Sequence, residues 1–251
     1  ASATDRDAAF LSGKLDGMLT DYPGATLLQA KGSRLRLVME TDGSLSLIAS
    51  KKSNVRNPDR LKGKNISVSG NTFVEYATDE VMKRACLHPG EVNKPEINNI
   101  PLRLMMLEDG QISASFLPGP ATAIALNDGH TALLNTRQMG LHCTGIVFSE
   151  KAITEKDEEI RRFITGYNLG VKYLQTRPQN EWTEILVKEF GLQEKAAMQI
   201  DLPDYRPATR PSYHDIEKII AWLKSKRAIP DYYPGENLVD TTFIPGTPEP
   251  Q

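Results

Sequence analysis

The sequence predicts an α/β protein built from two similar lobes. The main observation is a segment that occurs twice, 97 positions apart, at residues 10–32 and 107–129. Aligned without a gap, the two copies share turn residues at equivalent positions: Gly13 and Gly110, Pro23 and Pro120, Gly32 and Gly129. The pattern of each copy predicts the end of a helix, a glycine that terminates it, a short strand, a turn that contains proline and a second helix. Two similar lobes enclose a cleft, where small ligands bind.

The first copy and its continuation predict helices and strands in alternation. Residues 4–12 form a helix end, residues 15–20 a strand, and residues 23–31 a helix that proline opens and glycine ends. Residues 35–40 and 45–50 follow as strands, with a turn at Asp42 and Gly43 between them. This order favours a sheet with helical connections.

A β-α-β segment then precedes the second copy. Its strands are predicted at residues 65–69 and 92–97, with a helix over residues 72–87. Strands at residues 132–136 and 144–149 follow the second copy, and the rest of the chain is helical, over residues 155–176, 182–190 and 214–226. Ser212 is a suitable N-cap for the last of these helices.

The repeat also predicts a missing segment. Residues 64–98 precede the second copy, whereas no counterpart precedes the first, so we expect the first lobe to lack its opening β-α-β segment. The alternative is a smaller first lobe. That alternative is less favourable, because the missing strand should be central in a parallel sheet, which needs neighbours on both sides.

Composition excludes several classes of function. A net charge of -2 gives no indication of a nucleic-acid or anionic-membrane partner. The four histidines are scattered, no phosphate-binding glycine motif occurs, and we expect no metal and no cofactor. Cys86 and Cys143 lie outside any metal-binding spacing, and the sequence leaves open whether they form a disulfide.

Four phrases together carry a family resemblance. They are DRDAAFLSGKLDGMLTD, SLIASKKSNVRNPDRLKGKNISVSGNTFVEY, NNIPLRLMMLEDGQISASFLPGPATA and EEIRRFITGYNLGVKYL. The chain resembles the substrate-binding proteins of ABC importers in the nitrate, sulfonate, taurine and thiamine-precursor group (NMT1/THI5-like). Ser113 departs from the pattern, because the family more often has aspartate there.

The resemblance implies a two-lobed α/β fold of the type II periplasmic-binding-protein kind. Lobe one would comprise residues 1–52 and 141–251, including the helical C-terminal part, and lobe two residues 53–140. Two hinge strands would cross near residues 49–53 and 137–143, and the lobes would close around a small polar solute. The partners implied are that solute and ABC permease subunits. The protein would be a monomer in the periplasm or a membrane-anchored lipoprotein facing outside.

The first candidate binding element is the turn formed by Ser69, Gly70, Asn71 and Thr72. It joins a strand to a helix start, where backbone N–H groups and the helix dipole favour an anion or a polar oxygen. The alternative is an ordinary N-cap. Glu75, one helical turn later, either opposes an anionic ligand and suits an amine or complements the helix dipole.

The two repeat turns are further candidates, with Asp21 and Tyr22 in one copy and Pro118 and Gly119 in the other. Asp21 either accepts hydrogen bonds from a ligand or caps the next helix, and Tyr22 is placed to stack on a flat ligand. The prolines either contact the ligand or fix the turn. Thr144, at the start of a returning strand, is a weaker candidate.

Two other functions stay open. A ligand-sensing domain of a transcription regulator uses a similar fold, and so do the enzymes of thiamine-pyrimidine biosynthesis that resemble this group. Such an enzyme would need a cysteine-rich motif of the CCCFC type, which the sequence lacks. We therefore expect binding rather than catalysis. The ligand is expected to be a sulfonate, a nitrate-like anion, a zwitterion or a pyrimidine.

Overall fold

A computed structural model describes residues 3–191, 193–198 and 204–244 of the chain. The chain divides into two compact units. Unit 1 comprises residues 1–43, 142–175 and 204–251, and unit 2 comprises residues 44–141 and 176–203. The chain therefore passes from one unit to the other after Gly43, after Leu141, after Gln175 and before Asp204.

Unit 1 contains an antiparallel sheet of three strands within the described residues. Its strands are β1 (Gly17–Asp21), β2 (Leu35–Thr41) and β7 (Thr144–Ser149). Its helices are α1 (Ala3–Leu11), α2 (Tyr22–Ala30), α6 (Glu150–Glu155), α7 (Asp157–Thr176) and α10 (Tyr213–Ser225). The central strand β7 runs antiparallel to both neighbours. Strands β1 and β2 therefore run in the same direction, and their carboxyl ends lie at one edge of the sheet.

Unit 2 contains a sheet of four strands within the described residues, in the order β4-β5-β3-β6. Its strands are β3 (Leu45–Ala49), β4 (Ile66–Ser67), β5 (Ala114–Pro118) and β6 (Thr131–Asn135). Its helices are α3 (Phe73–Arg84), α4 (Ile100–Asp109), α5 (Gly119–Asn127), α8 (Gln179–Phe190) and α9 (Glu194–Met198). Strands β4 and β5 are parallel, and β3 is antiparallel to both β5 and β6.

Each unit has an apolar core on its own sheet. In unit 1, Val38 and Ile146 on the strands pack with Ile160 and Ile164 of α7. In unit 2, Ile48 and Leu117 on the strands pack with residues of α4 and α5 such as Leu107, Ala121 and Ala125. Burial of these side chains supplies most of the driving force that holds helix to sheet.

The repeat predicted from the sequence is present at the same offset in the structure. Adding 97 to the bounds of β1 gives those of β5, and adding 97 to the bounds of α2 gives those of α5. Strand β5 has β4 on one side, whereas the described residues place no strand on the equivalent edge of β1. Leu19 of β1 is 55% exposed.

Strand β3 departs from the predicted organisation. The sequence placed it in lobe one, after a turn at Asp42 and Gly43, but β3 pairs with β5 and β6 and belongs to unit 2. The chain therefore changes unit after Gly43, earlier than residue 52. Residues 176–203 also group with unit 2, because α9 packs on α5 and α8 packs on α9.

Two smaller predictions also needed correction. Residues 92–97 were predicted as a strand but form only isolated bridges, at Asn93 and Glu96. The helix predicted over residues 155–176 starts at Asp157, because the separate helix α6 ends at Glu155. Neither difference moves the ends of β4 or β5, which position the candidate site.

Candidate functional site

In unit 1, the carboxyl ends of β1 and β2 meet the start of β7. Asp21 lies directly opposite Thr144 in the strand register. The Thr144 hydroxyl lies 2.9 Å from that of Thr41 and 3.0 Å from the Thr41 carbonyl oxygen. The Asp21 carboxylate accepts a hydrogen bond of 2.7 Å from the Gly24 N–H and thereby caps α2. The structure thus brings these two predicted residues together, each with partners inside unit 1.

Tyr22 is a core residue of unit 1. Its side chain is fully buried, and its hydroxyl donates to the Glu40 carboxylate at 3.1 Å. Burial, followed by the charge of Glu40, raises the pKa of Tyr22 well above its ordinary value. The ring therefore presents no open face to a ligand in this structure, and the expectation that it stacks on a flat ligand finds no support here.

A partly buried charge cluster lies next to Tyr22, and the sequence did not predict it. The Arg206 guanidinium donates to Glu40 at 2.8 Å and to Asp42 at 2.7 Å, and the Arg206 backbone N–H donates to Asp42 at 2.7 Å. Glu40 is 6% exposed and Asp42 is 7% exposed. Burial raises the pKa of Glu40 although Arg206 opposes the shift. We call these three residues the Arg206 clasp.

In unit 2, residues 69–72 form the turn between β4 and α3. The Thr72 hydroxyl accepts from the Val74 N–H at 3.2 Å and donates to the Ser69 carbonyl at 2.7 Å, so Thr72 is the N-cap of α3. The Ser69 hydroxyl donates to the Asn98 side chain at 2.6 Å. Asn71 has a φ of 54°, in the left-handed region. The predicted turn is therefore present, and it is held by its own side chains.

Glu75 reaches back onto this turn. Its carboxylate accepts the Asn71 backbone N–H at 2.8 Å and lies 3.1 Å from the Lys94 ammonium. Lys94 also pairs with Asp79 at 2.7 Å. Burial alone would lower the pKa of Lys94, but its hydrogen bonds and the charges of Asp79 and Glu75 raise it overall. Glu75 is only 7% exposed, so it is the buried member of a partly buried ion-pair network.

A glutamate also lies beside Gly70. A Cβ atom added at Gly70 would come within 3.0 Å of the Glu96 carboxylate. Asn98 donates to the same carboxylate at 3.3 Å. Two carboxylates, those of Glu75 and Glu96, therefore lie close to residues 69–72, which is unfavourable for an anion-binding turn.

A small polar pocket lies along α5, from Gly119 at the start of the helix to Leu126 near its end. Its volume is about 50 Å³, and it is lined by Ser44, Ser46, Gly119, Thr122, Ala123, Leu126, Asn135 and Arg137. Pro118 is the N-cap of α5 and supplies no side-chain hydrogen bond to the helix amides. A Cβ atom added at Gly119 would have no atom within 4 Å. We call this cavity the α5 pocket.

The two predicted turns of unit 2 lie at one edge of its sheet. Strands β4 and β5 are parallel and paired, so their carboxyl ends share that edge. The start of β3 and the end of β6 reach the same edge, because Ser46 pairs with both Leu117 and Asn135. Pro118 and Gly119 were predictable there from their positions in the repeat. Ser44, Ser46 and Arg137 were not, because their proximity depends on how the strands pair.

The described residues contain no group of three or more histidine, cysteine or acidic side chains able to hold a metal ion. Cys86 is exposed, Cys143 is buried, and both are free thiols. Burial raises the pKa of Cys143 well above its ordinary value, so this thiol stays protonated. No helix among the described residues has the length and apolarity required to span a membrane.

Comparison with known families gives one match. The family model described as NMT1/THI5 like matches residues 1–181. A comparison with the curated proteins found no match.

Solved structures share the fold. The ligand-binding component of an ABC-type import system from Staphylococcus aureus has 14% sequence identity and a TM-score of 0.79, and the match covers 96% of this chain and 84% of that one. The periplasmic aliphatic sulphonate binding protein SsuA from Escherichia coli has 14% identity and a TM-score of 0.79, with 97% and 82% covered. The alkanesulfonate-binding protein SsuA from Xanthomonas axonopodis pv. citri, bound to MOPS, has 19% identity and a TM-score of 0.75, with 89% and 79% covered. The predicted fold of the periplasmic-binding-protein type is confirmed.

Proposed function

The chain belongs to the NMT1/THI5-like family, and on that basis we propose that it is the solute-binding component of an ABC importer. It binds a small polar solute outside the cytoplasm and delivers it to the permease subunits. The folds of the three similar structures support this role, because each of those proteins is a binding component or a sulfonate-binding protein. The protein works as a monomer, either free in the periplasm or anchored as a lipoprotein.

The observation that carries the proposal is the α5 pocket. One of its lining residues, Gly119, directly follows the carboxyl end of β5, and ligands of open α/β sheets bind outside the carboxyl ends of the strands. Its lining combines hydroxyl, amide and guanidinium groups from β3, α5, β6 and the residues beside them. A volume of about 50 Å³ suits one polar group of a small solute better than a large cofactor.

The chemistry of the pocket favours a solute that accepts hydrogen bonds. Arg137 supplies a positive charge, and Ser44 and Ser46 supply hydroxyl donors. The first turn of α5 adds the positive end of a helix dipole. A sulfonate, a nitrate-like anion, a carboxylate of a zwitterion or a ring nitrogen of a pyrimidine meets these requirements.

Thermal melts test the proposal. We expect taurine, an alkanesulfonate, nitrate or a pyrimidine precursor to raise the melting temperature in a saturable way. A ligand at 100 times its Kd stabilises the folded state by about 2.7 kcal/mol. For a chain of this size that corresponds to a rise of roughly 5–10 °C. Calorimetric titration of each stabilising solute gives its affinity.

Recovery of the solute separates binding from catalysis. A binding protein returns the solute unchanged after long incubation, whereas an enzyme of pyrimidine synthesis converts it. Mass spectrometry of the recovered solute makes the distinction. Failure of the whole panel to stabilise the protein, together with turnover of any member, would overturn the proposal.

A further inference from the structure

The turn at residues 69–72 carries an anion that belongs to the protein itself. The Glu75 carboxylate lies 2.8 Å from the Asn71 N–H, which is where an external anion would bind. This contact differs from a capping box, in which the glutamate would accept from the N-cap residue Thr72. In the structure the Glu75 carboxylate instead accepts from Asn71, the residue before the N-cap. Asn71 has a left-handed φ of 54°.

Lys94 holds the Glu75 carboxylate in place. One Glu75 oxygen accepts from Asn71 and the other lies 3.1 Å from the Lys94 ammonium. Lys94 is itself fixed by Asp79 at 2.7 Å. The Glu75 carboxylate is held at both oxygens and is 7% exposed, so it cannot swing away to admit another anion without breaking partly buried charge-assisted hydrogen bonds.

The surrounding charge reinforces the exclusion. Glu75, Asp79 and Lys94 together carry a net negative charge, and the Glu96 carboxylate lies beside Gly70. An anionic group placed against the turn would face Glu75 and Glu96 at short range, and like charges held this close oppose each other strongly.

We propose that Glu75 is a specificity-determining residue that excludes anionic groups from residues 69–72. A solute group that lies against this turn is therefore neutral or positively charged, and any anionic group of the solute binds elsewhere. This inference rests on the proposed function, because a turn that meets no solute needs no charge selection.

Sulfate titration followed by amide NMR tests the inference. The probe is sodium sulfate, compared with sodium chloride at matched ionic strength, and the readout is the amide signals of Asn71 and Thr72. We expect Glu75→Ala to bind sulfate at these amides at least about 100-fold more tightly than the wild type, since it removes both the charge and the competing acceptor. Glu75→Gln keeps the shape and an acceptor oxygen, so a smaller gain is expected.

Glu80→Gln is the matched control. It makes the same change on the same helix, and Glu80 pairs with Lys83 rather than with the turn. Saturable shifts confined to the Glu75 variants support the inference. Equal shifts in the wild type or in Glu80→Gln overturn it, and so does the absence of shifts in both folded Glu75 variants. If no solute stabilises the wild type and the protein converts any of them, the proposed function fails, while the amide signals still decide whether Glu75 excludes anions.

Discussion

Replacing Arg206 with methionine removes the positive charge that compensates two buried carboxylates. The substitution deletes the guanidinium hydrogen bonds to Glu40 at 2.8 Å and to Asp42 at 2.7 Å. It retains the backbone N–H bond from residue 206 to Asp42. The remaining charges stay on carboxylates that are nearly inaccessible to water, and uncompensated charges of this kind are costly.

The expected loss of stability is about 2–4 kcal/mol. Hydrogen bonds to charged groups contribute about 1.5–3 kcal/mol each. The sum is discounted because the Arg206 side chain is 47% exposed and solvent screens part of the interaction. For a chain of this size the melting temperature should fall by roughly 5–15 °C. Urea unfolding followed by circular dichroism measures the change at neutral pH.

The pH dependence gives a second readout. Burial already raises the pKa of Glu40 in the folded state, and loss of Arg206 raises it further. A carboxyl group whose pKa is higher in the folded state than in the unfolded state destabilises the folded protein when it is ionised. This cost decreases as the pH is lowered, because the carboxyl group becomes protonated. The difference in unfolding free energy between the wild type and Arg206→Met should therefore decrease as the pH is lowered from neutral towards the ordinary pKa of glutamate, 4.5.

Arg162→Met is the control, because Arg162 pairs with Glu158 on the surface and the two side chains are 77% and 79% exposed. Its expected effect is below about 0.5 kcal/mol. The reasoning would be refuted by a loss below about 1 kcal/mol for Arg206→Met, or by a deficit that does not change with pH.

Three further predictions concern individual buried contacts. The His130 ring accepts a hydrogen bond from the Lys51 backbone N–H at Nδ1, and burial is the main cause that lowers the pKa of His130 below 6.5. The wild type should therefore lose stability as the pH falls below about 6.5, because the unfolded state binds the proton more readily. Urea unfolding at a series of pH values should show a flatter dependence of stability on pH for His130→Gln. Arg103→Met should cost about 1–3 kcal/mol in urea unfolding, because two buried carbonyls lose their guanidinium donor. Gly145→Ala should cost about 1–3 kcal/mol or more in the same assay, since its Cβ would lie 2.6 Å from the Met39 carbonyl oxygen, and a near-neutral result would contradict the packing described.

The repeated unit was predictable from the sequence because its determinants are local. Glycine stops and proline turns fix where β1, α2, β5 and α5 begin and end, and both copies carry them at the same spacing. Ser212 likewise caps α10 as predicted, through a hydrogen bond to the Asp215 N–H. Features of this kind depend on residues a few positions apart.

Strand pairing and side-chain clusters could not be predicted in the same way. Strand β3 follows β2 closely in the chain but pairs with β5, about seventy positions later, so its unit is decided by a long-range contact. The Arg206 clasp joins residues separated by 164 and 166 positions. Tyr22 was placed at a ligand-facing turn, but its burial beside Glu40 makes it a core residue.

Filling the α5 pocket tests the central claim most directly. Gly119→Leu adds a side chain at a position where a Cβ atom would have no atom within 4 Å, so the fold should keep its stability to within about 1 kcal/mol. Gly166→Leu is the matched control, because Gly166 is also a helical glycine with no atom within 4 Å of an added Cβ.

The measurement is a calorimetric titration of both variants. Its ligand is the solute that stabilises the wild type, chosen from taurine, an alkanesulfonate, nitrate and a pyrimidine precursor. We expect at least about a 100-fold loss of affinity in Gly119→Leu and none in Gly166→Leu, since the added side chain occupies the space of a buried polar group of the solute. Wild-type affinity in a folded Gly119→Leu variant would contradict the assignment of the α5 pocket as the solute site.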